Sequence, residues 1–247
     1  MIDIYLISLK KDEKRRENCK RQFPKYYNNF IQVEAVDGRE ISSLKYFELI
    51  NPAFYKLNKL LSPSEAGCSL SHKKVYELFL KSEADYALIL EDDIIGTDED
   101  IEKVINLTKF LNPNSIFICG GQDSYSVFVK EIYNNFYILS KYSNLTGTCS
   151  YVITKNSAKK LLNLQTEILD IADNWERLSK DLNVYFSDIF IHPLDLQTSN
   201  IQKEREKRAF KASKKDKIKV LKYIFQTRLE AVLKGYKKIQ KRWEFYL

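Results

Sequence analysis

The chain has 247 residues, of which 44% are hydrophobic and 13% aromatic, so it can bury a sizeable core and is not an intrinsically disordered protein. Its net charge of +7 is unevenly distributed, because residues 203–247 contain 16 Lys or Arg against 5 Asp or Glu. The first 202 residues carry a net charge of −4. The pI of the chain is about 9.0, but the net negative charge of residues 1–202 argues against a nucleic-acid partner. The chain also contains no recognised nucleic-acid motif.

The beginning of the chain predicts a β-strand, a helix and a second β-strand. An apolar run at 4–9 is followed by a charged stretch at 10–22, and a second apolar run at 30–36 ends at the turn signal Asp37-Gly38. This order predicts an α/β domain whose parallel sheet is covered by helices.

The same alternation continues along the chain. Ser62, Pro63 and Glu65 form a helix-start signal, with Ser62 as the N-cap and Glu65 at the capping-box position, and the helix should end near Lys81. Further strands are predicted at 86–90, 116–119, 150–153, 184–186 and 189–191, with a helix from Asn156 or Ser157, whereas 41–62 has an irregular pattern of local helix and loop.

Three consecutive acids, Glu91-Asp92-Asp93, follow directly after the apolar strand at 86–90. Ligands of open α/β sheets bind at the carboxyl ends of strands, and Mg²⁺ or Mn²⁺ prefers oxygen ligands from carboxylates and phosphates. The triplet is therefore a candidate metal site. The alternative is a solvated turn, since acids also favour the start of a following helix.

The four cysteines, Cys19, Cys68, Cys119 and Cys149, are widely spaced, which indicates reduced and mostly buried thiols. The first residues enter a strand at once, without the features of a signal peptide, and no apolar run reaches the roughly 20 residues that span a bilayer. We therefore expect a cytoplasmic protein.

Several ordered segments resemble glycosyltransferase family 25, which includes bacterial lipooligosaccharide galactosyltransferases and collagen galactosyltransferases. These segments are Ile7-Ser8-Leu9 with Arg15 or Arg16, Ala35-Val36-Asp37-Gly38-Arg39, Ser64-Glu65-Ala66-Gly67-Cys68-Ser69-Leu70-Ser71-His72, Leu88-Ile89-Leu90-Glu91-Asp92-Asp93, Thr146-Gly147-Thr148 with Tyr151 and Ala158, Asp173 before Trp175, and Ser199 with Ile201. The resemblance covers residues 2 to 202. It implies a GT-A fold, which is a Rossmann-like nucleotide-sugar-binding fold. It also implies a UDP-sugar donor, usually UDP-galactose, and inversion to a β-linkage.

The resemblance and the residue chemistry together assign roles to named positions. Asp93, Glu91 and His192 are the expected ligands of Mn²⁺ or Mg²⁺, and a satisfied loop histidine is the alternative for His192. The expected donor-binding residues are Ser8, Arg15, Asp37, Glu65, His72, Glu91 and Asp92, and a buried structural role competes for His72. Gly147 and Thr148 are expected on the acceptor side, where ordinary turn chemistry is the alternative.

Inversion needs one general base to take the proton of the acceptor hydroxyl. Asp173 is the candidate, because it falls where the family carries an acid after the T-G-T strand and its helix. Asp170 competes, since residues three apart share a face if this segment is helical. A catalytically inactive carbohydrate-binding or scaffolding protein on the same fold is the alternative function, because fold does not determine activity.

Residues 1–202 are predicted to form the catalytic domain, and 203–247 a basic, amphipathic helical segment. From Lys214 onward, apolar residues recur at helical spacing among many lysines, as in helices that lie on anionic membranes. Such a helix would hold the enzyme at the inner face of the cytoplasmic membrane, beside a glycolipid or oligosaccharide acceptor of lipooligosaccharide or lipopolysaccharide synthesis. Packing on the domain's own core and dimerisation are the alternatives.

Overall fold

The computed structural model describes residues 1–121, 125–192, 225 and 228–241, and for 141–144 and 241 it describes the backbone only. In this part of the chain, nine strands form one sheet in the order β2-β1-β3-β7-β4-β8-β6-β5-β9. The strands are β1 (Ile2–Ser8), β2 (Phe30–Glu34), β3 (Tyr86–Glu91), β4 (Ser115–Gly120), β5 (Tyr125–Tyr133), β6 (Phe136–Asn144), β7 (Ser150–Thr154), β8 (Asn183–Phe190) and β9 (Lys237–Lys241). The helices are α1 (Glu13–Gln22), α2 (Ser43–Leu57), α3 (Pro63–Lys81), α4 (Asp98–Leu107), α5 (Lys155–Glu167) and α6 (Trp175–Leu178).

The sheet is mixed. The parallel pairing predicted from the strand-helix-strand opening is confirmed for β1 and β2, but it does not extend through the whole sheet. Strand β1 is parallel to both β2 and β3, and β4 is parallel to β8. Strand β7 lies antiparallel between β3 and β4. Every residue of β7 is buried, and a strand buried on both faces has the same apolar pattern in either direction. Its direction was therefore not readable from the sequence.

Helices cover both faces of the sheet. Tyr76 and Phe79 of α3 and Leu161 of α5 pack in one core with Tyr5 and Ile89 of the central strands. The alternate strand residues point into a second core, where they meet side chains of α1 and α4. This three-layer arrangement confirms the predicted Rossmann-like α/β architecture.

Helix α3 begins as the sequence predicts. The Ser62 hydroxyl accepts a hydrogen bond from the Glu65 N–H, and the Glu65 carboxylate accepts one from the Ser62 N–H. These bonds complete the capping box, with Pro63 at the first helical position. The helix then runs to Lys81, which confirms both predicted ends.

Two glycines allow α3 to lie directly against the backbone that follows β2. A Cβ atom on Gly67 would stand 2.5 Å from the Gly38 nitrogen and 2.5 Å from the Val36 oxygen. The Ser71 hydroxyl, one turn further along α3, accepts a hydrogen bond of 2.8 Å from the Val36 N–H. This close approach sets the position of the helix, and hence of the side chains that it presents to the end of β3.

The region 41–62 contains a regular helix where the sequence indicated irregular structure. Helix α2 spans 15 residues, begins after the Ser42 cap and ends at Asn58, whose φ of 53° is left-handed. Pro52 lies inside it and interrupts the expected helical pattern. Burial of Ile50 and Ala53 against the start of α3 compensates for the proline, and only the tertiary structure provides that contact.

The C-terminal segment is helical only in part. Phe225 and residues 228–233 are helical, but Lys237–Lys241 forms β9, which pairs antiparallel with β5. The helix prediction was wrong for β9, because Gly235, with a φ of 75°, ends the helix and β5 offers its free edge to the following residues. Ser199, Ile201 and residues 214–224 of the predicted amphipathic segment lie outside the described residues, and the division at residue 202 stays a prediction.

The thiol prediction is confirmed, since all four cysteines are free, with Cys19, Cys119 and Cys149 buried and Cys68 partly so. Among the described residues, the helices are too short or too polar to cross a bilayer.

Replacement of Gly67 by alanine should destabilise the fold by about 2 kcal/mol or more, because the new methyl group overlaps backbone atoms that have no room to move. Helix propensity alone predicts that the variant is more stable, since alanine is more favourable than glycine in a helix interior by about 1 kcal/mol. Urea unfolding of Gly67→Ala measures the difference. Glu77→Ala, at an exposed position of the same helix, is the control and should change stability by less than about 0.5 kcal/mol. A stabilised Gly67→Ala protein would contradict the close packing.

Candidate active site

The acidic triplet ends β3 at the carboxyl edge of the sheet, where Asp92 joins three elements. Its carboxylate accepts hydrogen bonds from the Ser8 hydroxyl of β1 at 2.6 Å and from Arg15 of α1 at 3.0 Å. The Cys19 thiol donates to its main-chain oxygen at 3.5 Å. Burial raises the pKa of Asp92, and the bonds from Ser8 and Arg15 offset this effect only in part. Asp92 therefore ties β3 to β1 and α1.

Asp93 lies beside a second predicted ligand of the metal. Its Oδ2 atom is 3.5 Å from the His192 Nε2 atom and 3.3 Å from Arg15. Burial raises the pKa of Asp93, but His192 and Arg15 lower it more, so the net shift is downward and favours the carboxylate. Its Oδ1 atom is buried without a hydrogen-bond partner among the described residues. An unpaired carboxylate oxygen beside an imidazole fits a divalent cation.

Glu91 turns toward helix α3. Its Oε1 atom lies 3.2 Å from the His72 Nε2 atom and accepts a 2.6 Å hydrogen bond from the Thr148 hydroxyl. The other ring nitrogen of His72 lies 2.7 Å from the Tyr151 hydroxyl, which is 2.9 Å from the Tyr76 hydroxyl. His72 is thus a buried, hydrogen-bonded histidine that also contacts the acidic triplet.

The sequence predicted Cys68 as a reduced thiol within a family motif and gave it no role in the site, whereas the structure places it there. The ligand atoms of Cys68, His72 and Glu91 all lie within 4.8 Å of one another. Burial raises the pKa of the Cys68 thiol, and the charges of Glu91 and Asp173 raise it further. The four-residue spacing of Cys68 and His72 was the available signal, because it puts both side chains on one face of a helix.

Asp173 is held by the T-G-T segment. The Gly147 N–H donates to the Asp173 carboxylate at 3.0 Å, and the Gly147 oxygen accepts from the Trp175 indole at 3.1 Å. Gly147 has a φ of 80°, which favours glycine. Thr148, the next residue, bonds Glu91, so adjacent residues link Asp173 to the acidic triplet. The acceptor-side roles of Gly147 and Thr148 stay predictions.

Asp170 has a different environment, since residues 168–174 are not helical and the two acids do not share a helical face. Its side chain is fully buried and lies 3.2 Å from Lys59 and 3.7 Å from Arg177. It also accepts hydrogen bonds from Asn174 and from the Ile171 N–H. These contacts make Asp170 an anchor of the segment that carries Asp173.

Two predicted donor-binding residues are engaged in local contacts. Asp37 forms ion pairs of 2.6 Å with both Lys11 and Arg39, and the Arg39 hydrogen bond is the largest cause of its strongly lowered pKa. Glu65 closes the capping box of α3. The donor-binding roles of both residues stay predictions.

The fold and this cluster define an α/β protein with carboxylates at the carboxyl end of a central strand. Residues 1–175 match the family model described as Glycosyltransferase family 25 (LPS biosynthesis protein). The chain belongs to this family, so the resemblance predicted from its motifs is confirmed.

Proteins with similar sequences are also described as glycosyltransferases. A putative glycosyltransferase of Haemophilus influenzae is 25% identical over 222 residues, which cover 82% of this chain and 76% of that protein. Procollagen galactosyltransferase 2 of Homo sapiens is 31% identical over 110 residues, 42% of this chain and 18% of that protein. A glycosyltransferase 25 family member of Drosophila melanogaster is 31% identical over 96 residues, 37% of this chain and 16% of that protein. The aligned part of this chain thus spans less than a fifth of the two animal relatives.

The Asp170→Asn substitution should destabilise the protein by about 3 kcal/mol, because it removes the buried charge that Lys59 and Arg177 surround. Asp181→Asn is the matched control, since Asp181 is exposed and its ion pair with Lys160 at 3.4 Å should contribute less than about 1 kcal/mol. Urea unfolding of both variants tests the difference. Equal stabilities would show that Asp170 is not an anchor.

Proposed function

We propose that the chain is an inverting, metal-dependent glycosyltransferase that moves galactose from UDP-galactose to a hydroxyl group of a cell-surface glycan precursor and forms a β-linkage. The main support is the pairing of Asp93 with His192, together with a second, separately held carboxylate, Asp173. The charges of Asp93 and Asp173 both act on the Cys68 thiol. Two functions are needed at such a site, one for the leaving diphosphate and one for the attacking hydroxyl.

Asp93 and His192 would hold the Mn²⁺ or Mg²⁺ ion. The unpaired Oδ1 atom of Asp93 and the neighbouring imidazole are donors that such ions accept. When bound, the ion supplies positive charge that stabilises the diphosphate leaving group. Arg15, which bridges Asp92 and Asp93, adds a fixed positive charge at the same edge of the sheet.

Asp173 would act as the general base. The acceptor oxygen forms a bond to the anomeric carbon while the bond from that carbon to the diphosphate breaks, and the hydroxyl proton passes to the Asp173 carboxylate. The Gly147 N–H orients this carboxylate, and the anchored Asp170 holds the segment in place. Glu91, oriented by His72 and Thr148, would bind the donor or assist at the metal.

Galactose and the acceptor class come from the relatives and the family. The human relative is by name a procollagen galactosyltransferase, and the family description refers to LPS biosynthesis. A glycolipid acceptor would favour a position at the inner face of the cytoplasmic membrane, to which residues 214–247 would bind. The lysines of that segment provide the charge that anionic lipids attract.

The Asp173→Asn variant should lose about 10²-fold to 10⁴-fold in the rate of sugar transfer while it retains donor affinity, because asparagine cannot take a proton but can accept the Gly147 hydrogen bond. The measurement is turnover in a screen of UDP-sugars with Mn²⁺ and oligosaccharide acceptors, with separate titration of UDP binding. Product linkage analysis reports the stereochemistry.

Glu176→Gln is the control for this experiment, because Glu176 is exposed three residues away and should leave turnover unchanged. A fully active Asp173→Asn variant would remove Asp173 as the base. If the unaltered protein transfers no sugar from any UDP donor with Mn²⁺, the proposed activity is wrong and a carbohydrate-binding or scaffolding role takes its place.

Membrane binding should depend on the lysines of the C-terminal segment. Replacement of Lys214, Lys215, Lys217 and Lys219 by glutamine should weaken flotation with phosphatidylglycerol vesicles at least about tenfold, since each lysine near the surface contributes about 1 kcal/mol. Vesicles of phosphatidylcholine alone are the control and should bind neither protein. Equal flotation of the two proteins with anionic vesicles would contradict the membrane role.

A further inference from the structure

Three side chains of different chemistry converge between α3 and the end of β3. Cys68 and His72 lie one turn apart on α3, and Glu91 reaches them from β3. Their sulfur, nitrogen and oxygen ligand atoms lie within 4.8 Å of one another. A thiol, an imidazole and a carboxylate form a mixed ligand set that differs from the Asp93 and His192 pair.

This ligand set matches zinc better than it matches manganese or magnesium. Zn²⁺ is commonly four-coordinate and accepts Cys, His and carboxylate ligands at about 2.0–2.3 Å, which puts ligand atoms about 3.3–3.7 Å apart in a tetrahedron. His72 and Glu91 are already 3.2 Å apart, so a shift of about 1 Å by the Cys68 side chain would complete the set. Mg²⁺ and Mn²⁺ prefer oxygen ligands and have little affinity for a thiolate.

The surroundings of the three side chains also suit a cation. The ring nitrogen of His72 that faces away from Glu91 lies 2.7 Å from the Tyr151 hydroxyl. A metal-binding histidine usually makes such a hydrogen bond with its other ring nitrogen, and this bond orients the ring. Glu91 and Asp173 surround the thiol with negative charge. Cys68 and Glu91 are partly exposed, so water can reach the remaining coordination position.

We propose that Cys68, His72 and Glu91 form a binding site for Zn²⁺ or a similar thiol-binding divalent cation, separate from the Asp93 and His192 site. Glu91 belongs to both the zinc site and the acidic triplet. Occupation of the zinc site therefore withdraws Glu91 from the triplet and inhibits sugar transfer. The inhibition rests on the proposed function, but the binding does not.

Binding is tested with Co²⁺ as a spectroscopic substitute for Zn²⁺, on the full chain after treatment with a chelator. The unaltered protein should show the charge-transfer absorption of a cobalt-thiolate bond, and added Zn²⁺ should abolish it. Cys68→Ser should lose this absorption and bind Zn²⁺ at least about tenfold more weakly. Loss of a residue that only orients a metal ligand typically lowers metal affinity 10-fold to 100-fold, and loss of a ligand should lower it at least as much.

Cys149→Ala is the matched control, because Cys149 is a buried thiol outside the cluster whose main-chain oxygen accepts a hydrogen bond from the Glu91 N–H, and this variant should keep the absorption. Tyr151→Phe should weaken Zn²⁺ binding about tenfold without loss of the thiolate signal, because it removes the hydroxyl that contacts His72 and Tyr76 but no ligand atom. Circular dichroism of each variant confirms that it is folded. No thiolate absorption in the unaltered protein, or the same absorption in a folded Cys68→Ser protein, would overturn the site.

Inhibition is then measured as the Zn²⁺ concentration that halves transfer in the presence of excess Mn²⁺. This concentration should rise at least about tenfold in Cys68→Ser, relative to the variant's own rate without zinc. Unchanged inhibition in Cys68→Ser would overturn the inhibitory role. If the unaltered protein binds cobalt but neither it nor any variant transfers sugar, the proposed function is refuted and the metal site is still supported.

Discussion

The direct contact between helix α3 and the backbone after β2 positions the rest of the site. Gly38 and Gly67 carry no side chain at the point where these segments meet, and Ser71 bonds the Val36 N–H one turn further on. A bulkier residue at either glycine would lift the helix from the sheet. Since Cys68 directly follows Gly67 and His72 lies one turn further along α3, their distance from Glu91 depends on this approach.

Three successive acids at the end of β3 have different surroundings because each meets a different element. Asp92 bonds Ser8 and Arg15 and joins β3 to its neighbours. Asp93 lies beside His192, which follows β8, and Glu91 lies beside His72 of α3. The triplet therefore combines one structural carboxylate with two that face separate candidate cation sites, although all three have the same chemistry in the sequence.

The sequence predicted those features of the fold that depend on neighbouring residues. The capping box at Ser62 and Glu65 and the apolar strand at 86–90 are local signals, and both are confirmed. Helix α2 was missed because Pro52 interrupts its pattern and its stability comes from packing on α3. Strand β9 was missed because its residues continue a helical pattern, whereas the edge of β5 provides their backbone hydrogen bonds.

By itself, the sequence determined that this is an α/β member of glycosyltransferase family 25 with an acidic triplet at the end of a buried strand, because ordered motifs and local periodicity carry that information. It left Asp170 and Asp173 as competing bases, and only the tertiary structure gave them different surroundings. Lys59 and Arg177 surround Asp170, whereas Gly147 orients Asp173. Those partners are distant along the chain, as Cys68 is from Glu91, so their contacts depend on how the helices pack on the sheet.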